Sequence, residues 1–136
     1  MIIGIGVDII SIGRIEQLER DFGDKFVTKI FSDNENIVAK KIKVDERDFT
    51  KRSIFYAKRF AAKEAFSKAC GLGIGRGIDF KDIEIANDKL GQPLIKILNG
   101  KKDFLCQHFA CKDFVVHLSI SDEIPLAQAF VIIEKI

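Results

Sequence analysis

The chain opens on an almost unbroken apolar run, Ile2 to Ile10, made of β-branched residues and glycine, and this pattern predicts a buried strand. Ile12, Ile15, Leu18 and Phe22 then recur at helical spacing, with Gly23 as the terminator. Ser32-Asp33-Asn34-Glu35 has the form of a capping box and opens a second helix. Asp45 to Thr50 is polar and reads as a loop. A long helix is predicted from about Lys51 to Cys70, stopped by Gly71. Ile83-Glu84-Ile85 and Leu94 to Leu98 alternate and pair across an Asn87–Gln92 turn. Lys101 to Lys112 predicts a short amphipathic helix. Phe114 to Ile120 and Ala127 to Glu134 predict two last strands, joined by a tight turn through Asp122-Glu123-Ile124-Pro125. Hairpins with helices packed on one side make an α+β domain, and 136 residues form one such domain, residues 1–136.

Two places break the apolar logic. Asp8 interrupts the first strand, where a carboxylate is costly unless it is paired or binds a metal. It either caps the following turn or is a metal ligand at the strand end. In the long helix, Arg59 neighbours Lys63, and Phe60, Glu64 and Lys68 form a second row beside them. Glu64 and Lys68 have the order of an ordinary surface ion pair, but three cations and one anion also suit a phosphate-rich ligand with a divalent metal.

Net charge is only +2, so the chain as a whole lacks a nucleic-acid-binding composition. Residues 40–76, however, hold eleven Lys or Arg against four Asp or Glu. A basic segment on an acidic background points to a focused anion site, although Lys40, Lys41, Lys43 and Lys51 are equally the solvated face of a helix. Three cysteines without metal spacing imply reduced thiols in a cytoplasmic protein. No signal peptide or membrane-spanning run is read. Gly71-x-Gly73-x-Gly75 follows a helix, where phosphate-binding glycine motifs precede one. Helix C-termini repel phosphate, so these glycines more naturally let a ligand or a neighbouring subunit approach the backbone.

Gly6-x-Asp8 followed by Arg14-Ile15, and Arg59-Phe60-Ala61-Ala62-Lys63-Glu64-Ala65-Phe66-Ser67-Lys68 ending in Gly71-x-Gly73-x-Gly75, together resemble the holo-acyl-carrier-protein synthase family of bacterial 4′-phosphopantetheinyl transferases. The resemblance runs over essentially the whole chain, including Asp82-Ile83-Glu84-Ile85, Asp88-Lys89-Leu90-Gly91-Gln92-Pro93 and Val116-His117-Leu118-Ser119-Ile120-Ser121. It implies an antiparallel sheet wrapped on the long helix, and a homotrimer with active sites between subunits. It also implies transfer of 4′-phosphopantetheine from coenzyme A to a serine of apo-acyl carrier protein, in fatty-acid synthesis. Asp8 and Glu64 would hold Mg²⁺, and Lys68 would stabilise charge on the pyrophosphate. Arg59, Lys63 and Lys68, with Gly71 and Gly73, would contact coenzyme A. Either Glu64 or a water on the metal would serve as base. Arg14 and Leu18 would meet the acidic carrier protein, unless Arg14 is only a solvated first-turn residue.

The chain departs from the family at Asp122, where a histidine is often found. A carboxylate there cannot donate to phosphate, so it should face solvent, cap the turn or pair with a cation. The segment from Asp33 to Thr50 is also longer than the family implies. An alternative of another class is a nucleic-acid-binding module that stacks bases on Phe49, Phe55, Tyr56 and Phe60 among the basic residues. A further alternative is a transferase that primes other carriers.

Overall fold

In the computed structural model, residues 1–136 are described except Glu46 and Phe49. Strand β1 (Ile2–Ser11) leads into helices α1 (Ile12–Phe22), α2 (Asp24–Ile30), α3 (Asp33–Lys40) and α4 (Thr50–Ala69). A 3₁₀ turn at Phe80–Asp82 precedes the hairpin β2 (Ile83–Asn87) and β3 (Pro93–Ile97). Helix α5 (Lys101–His108) and the long hairpin β4 (Phe114–Glu123) and β5 (Leu126–Lys135) complete the chain. One antiparallel sheet has the order β1-β5-β4, and β2-β3 form a second. The α+β reading is what the chain adopts.

Most elements match their sequence signals. Ser32 and Glu35 make the reciprocal capping box that opens α3. Helix α2 was not anticipated. It starts directly after Gly23 and is seven residues long, too short to show periodicity beyond the buried pair Phe26 and Ile30. Helix α5 ends at His108, short of Lys112, because Ala110 takes a positive φ of 51°. Strand β4 extends through Asp122 to Glu123, so Asp122 lies in a strand opposite Ala127 and not in the turn.

Helix α4 lies across the inner face of the three-stranded sheet with Ala57, Ala61, Ala62, Ala65 and Phe66 fully buried. Its alanines let the helix approach, and two glycines of β1 let it come closer still. A Cβ on Gly6 would overlap the carbonyl oxygen of Ala65, and one on Gly4 would overlap that of Ala69. Both obstacles are helix backbone, which cannot rotate away. Gly6→Ala should therefore lower stability by about 1–3 kcal/mol or more, as overpacking does. Urea unfolding checks this; a midpoint equal to wild type would mean that the sheet can lift off the helix freely.

Candidate active site

Alternation along β1 turns Gly6, Asp8 and Ile10 toward α4 and leaves Ile5, Val7 and Ile9 on the outer face. Asp8 pairs across the sheet with Ala129, beneath α4. Lys68, in the last turn of α4, places its Nζ 3.0 Å from Asp8 Oδ1 and 3.0 Å from the Val7 carbonyl oxygen. Its ammonium stays largely exposed while Asp8 is mostly covered. Glu64 stands one turn earlier on α4. Burial, and then the charge of Asp8, hold its carboxyl above the usual glutamate range, with Lys68 and Arg14 opposing. Residues 56 positions apart in sequence thus feel each other's charge.

This pair of carboxylates suits a hard divalent cation. Two like charges, one of them destabilised as an anion, are relieved by a cation between them, and oxygen donors are what Mg²⁺ prefers. No group of three or more His, Cys, Asp or Glu able to hold a metal exists among the described residues. The protein would therefore supply two carboxylates, and water and phosphate oxygens the rest, as Mg²⁺ commonly accepts.

Glu64 sits at the edge of a cleft of about 690 Å³ between α1, α2 and α4. Arg14, Lys25 and Lys29 give it a basic rim, and Leu18, Phe22, Phe60 and Phe80 line it with apolar surface. Phe60 and Phe80 stack with centroids 5.2 Å apart. Arg14 and Leu18 were anticipated here, whereas Lys25 and Lys29 were missed along with α2. Their spacing of four was the available signal.

The other row of α4 faces elsewhere. Lys63 is fully buried. Its Nζ donates to Glu35 Oε1 at 2.6 Å and reaches the carbonyl oxygens of Ile30, Phe80 and Ile83 at 3.1, 2.9 and 2.6 Å. Those acceptors absorb all its donors. The expectation that Lys63 contacts coenzyme A is therefore corrected: it ties α2, α3 and the second sheet to α4. Burial pushes the Lys63 ammonium toward deprotonation, and Glu35 holds the proton on. Glu35 also accepts from the backbone N–H groups of Ser32 and Ile85, and Ser32 Oγ donates to Glu84 at 2.6 Å.

Arg59 belongs to this same side. Its guanidinium lies 3.7 Å from the Phe55 ring centroid, and Nη2 donates to Asn87 Oδ1 at 3.0 Å. Nε is buried with no hydrogen-bond partner among the described residues. Within one chain, Arg59 lines a different cavity from Glu64. Gly71 and Gly73 take positive φ, 74° and 75°, and a Cβ at either would meet nothing within 4 Å, so the backbone is open there.

Asp122 pairs with Lys58 of α4 at 3.2 Å, one of the three fates anticipated for it. Tyr56 is buried and Phe55 lies against the Arg59 guanidinium, so neither ring is free to stack on a base; Phe49 lies outside the described residues.

A family model for the 4′-phosphopantetheinyl transferase superfamily matches residues 4–128. The chain belongs to that superfamily. A holo-[acyl-carrier-protein] synthase of Bartonella quintana is 42% identical to this transferase over 137 aligned residues, covering 100% of the chain and 98% of the relative. The crystal structure of a Bacillus anthracis holo-(acyl-carrier-protein) synthase in complex with CoA (3′,5′-ADP) is 40% identical. It superposes with a TM-score of 0.79 over 100% of this chain and 99% of that one. The Neisseria meningitidis synthase reaches 0.84 at 36% identity, over 99% and 100%. Among the described residues of this transferase, no helix is long and apolar enough to cross a membrane.

Proposed function

We propose that this chain transfers the 4′-phosphopantetheine group of coenzyme A to a serine of apo-acyl carrier protein, releasing adenosine 3′,5′-bisphosphate, in the cytoplasm and for fatty-acid synthesis. The observation that carries this reading is the Asp8–Lys68 pair set beside a Glu64 of raised proton affinity, at the mouth of a basic, apolar-walled cleft.

Asp8 and Glu64 would hold Mg²⁺, which would supply charge neutralisation for the pyrophosphate. Lys68, exposed and anchored at Val7, directs a cation at the same charge. The serine oxygen forms a bond to the β-phosphorus while the bond to the bisphosphate breaks. Either the Glu64 carboxylate or a water on the metal would take the hydroxyl proton. Arg59 lines a separate cavity, where its guanidinium would meet a phosphate oxygen, and Gly71 and Gly73 leave backbone open to coenzyme A.

Arg14, Lys25 and Lys29 face the acidic carrier, with Leu18 as apolar contact. Arg14→Glu should raise KM for the carrier several-fold and increase its salt dependence, leaving coenzyme A binding unchanged. Equal losses for both substrates, seen by calorimetry and steady-state kinetics, would place Arg14 in the coenzyme site or the fold.

The outer face of the sheet carries exposed Ile5, Val7, Ile9 and Phe130, a patch that favours burial against further copies of the chain. A homotrimer with sites between subunits covers it. Val7→Glu should shift the sedimenting species to monomer, and an unchanged sedimentation coefficient would remove this face from the interface.

The transfer itself is tested by incubating the protein with apo-carriers, coenzyme A and Mg²⁺ and weighing each carrier. A gain of one phosphopantetheine is expected; no gain on any carrier overturns the proposal.

A further inference from the structure

The C-terminal cap of α5 holds two cysteines that the transfer reaction does not use. Ala110 N–H bonds the Gln107 carbonyl at 3.1 Å and Cys111 N–H bonds the Cys106 carbonyl at 3.0 Å, with Ala110 at positive φ. This is a Schellman cap around the C-cap Phe109, in which the side chains three residues before the cap and two residues after it meet. Those two residues are Cys106 and Cys111. The 3.0 Å bond from the Cys111 N–H to the Cys106 carbonyl holds the two residues side by side at the helix end. Both are half-buried and line one open cavity together with Lys112 and Lys135. Cys106 Sγ also reaches the Lys112 carbonyl at 3.5 Å. The third cysteine is unlike them. Cys70 is buried at the end of α4, and burial pushes its thiol up to about 12.

We propose that Cys106 and Cys111 are a redox modification site, forming a reversible intramolecular disulfide that staples the cap of α5. The oxidant is a small-molecule disulfide. The thiolate of Cys111 attacks one of its sulfurs, that S–S bond breaks, and one small thiol leaves. Cys106 then loses its proton to solvent and attacks the Cys111 sulfur of the mixed disulfide, expelling the second small thiol. Two protein thiols are oxidised and one external disulfide is reduced to two thiols. In a reducing compartment such a bond is transient. Its place gives it a target. His108 Nε2 lies 2.7 Å from the Cys70 carbonyl oxygen, and Lys101 Nζ donates to the Gly77 carbonyl at 3.0 Å, so α5 braces both ends of the Gly71–Gly77 segment that follows Lys68.

The test exposes the native full chain to oxidised glutathione, quenches, denatures and alkylates without reduction, and maps peptides by mass. The expected result is one alkylated cysteine, Cys70, with Cys106 and Cys111 linked within one chain. Dithiothreitol should restore alkylation at all three. In Cys106→Ser, glutathione should remain attached to Cys111, because the resolving thiol is gone. A stable glutathione adduct on the wild type, a link to Cys70, a link between chains, or full alkylation of all three cysteines would each overturn the proposal.

Discussion

Lys63→Ala is expected to cost about 3–5 kcal/mol of folding stability, the penalty for leaving a buried Glu35 without its partner. Against a total stability of about 5–15 kcal/mol for a domain, that is a large fraction. The loss should appear as a lowered urea midpoint even in the absence of any substrate. Lys68→Ala, by contrast, removes a largely exposed ammonium and should unfold at nearly the wild-type midpoint while losing turnover. Replacing both members of the buried pair, Lys63→Met with Glu35→Leu, should recover only part of the loss. Glu35 also satisfies the N–H groups of Ser32 and Ile85, which would be orphaned. If Lys63→Ala unfolded like wild type but bound coenzyme A poorly, the structural role given to Lys63 would be wrong.

The second large effect lies at Glu64. Glu64→Gln should lower kcat by about 10²–10³-fold, the scale for removing one electrostatic catalytic group. It should nevertheless melt at or above the wild-type temperature at neutral pH. The folded Glu64 carboxyl binds its proton more tightly than the same group in the unfolded chain. The stability tied to that group is thus present at low pH and is lost as pH rises through the raised folded value. Glutamine removes the cost of ionising it. In the metal-free protein the Glu64 carboxyl should correspondingly titrate above the ordinary glutamate range. In Asp8→Asn, carboxyl ¹³C titration should find the Glu64 midpoint moved downward, because one of the two causes raising it is gone. A Glu64 midpoint that ignored Asp8 would mean that the two carboxylates do not share a site.

Much of this arrangement is legible in the chain itself. Asp8 announces itself as the one charged residue in an apolar strand, and Ser32 and Glu35 mark their helix start without any tertiary information. The division of labour along α4 is not legible. Spacing of four says that Arg59 and Lys63 share a face, but not whether that face meets solvent or core. Alanines flank both rows and give each the same look. Only the arrival of Glu35, from a helix 28 residues away in sequence, settles that Lys63 is internal. Helix α2 was hidden because about two turns of helix carry too few apolar positions to show a period, and with it went Lys25 and Lys29. The early end of α5 was hidden because alanine gives no warning of a left-handed backbone at position 110.

The glycines of β1 have a bearing on how the proposed metal site tolerates change. Asp8 is carried by the strand and Glu64 by the helix, and between them at Gly4 and Gly6 there is no side chain at all, only main chain resting on main chain. The gap separating the two carboxylates is thus gauged by a spacer of zero thickness. Conservative exchanges among the surrounding aliphatic residues can reshape the interior without resetting that gauge. The strand-to-helix spacing that sets the two carboxylates apart is thus fixed by two missing methyl groups.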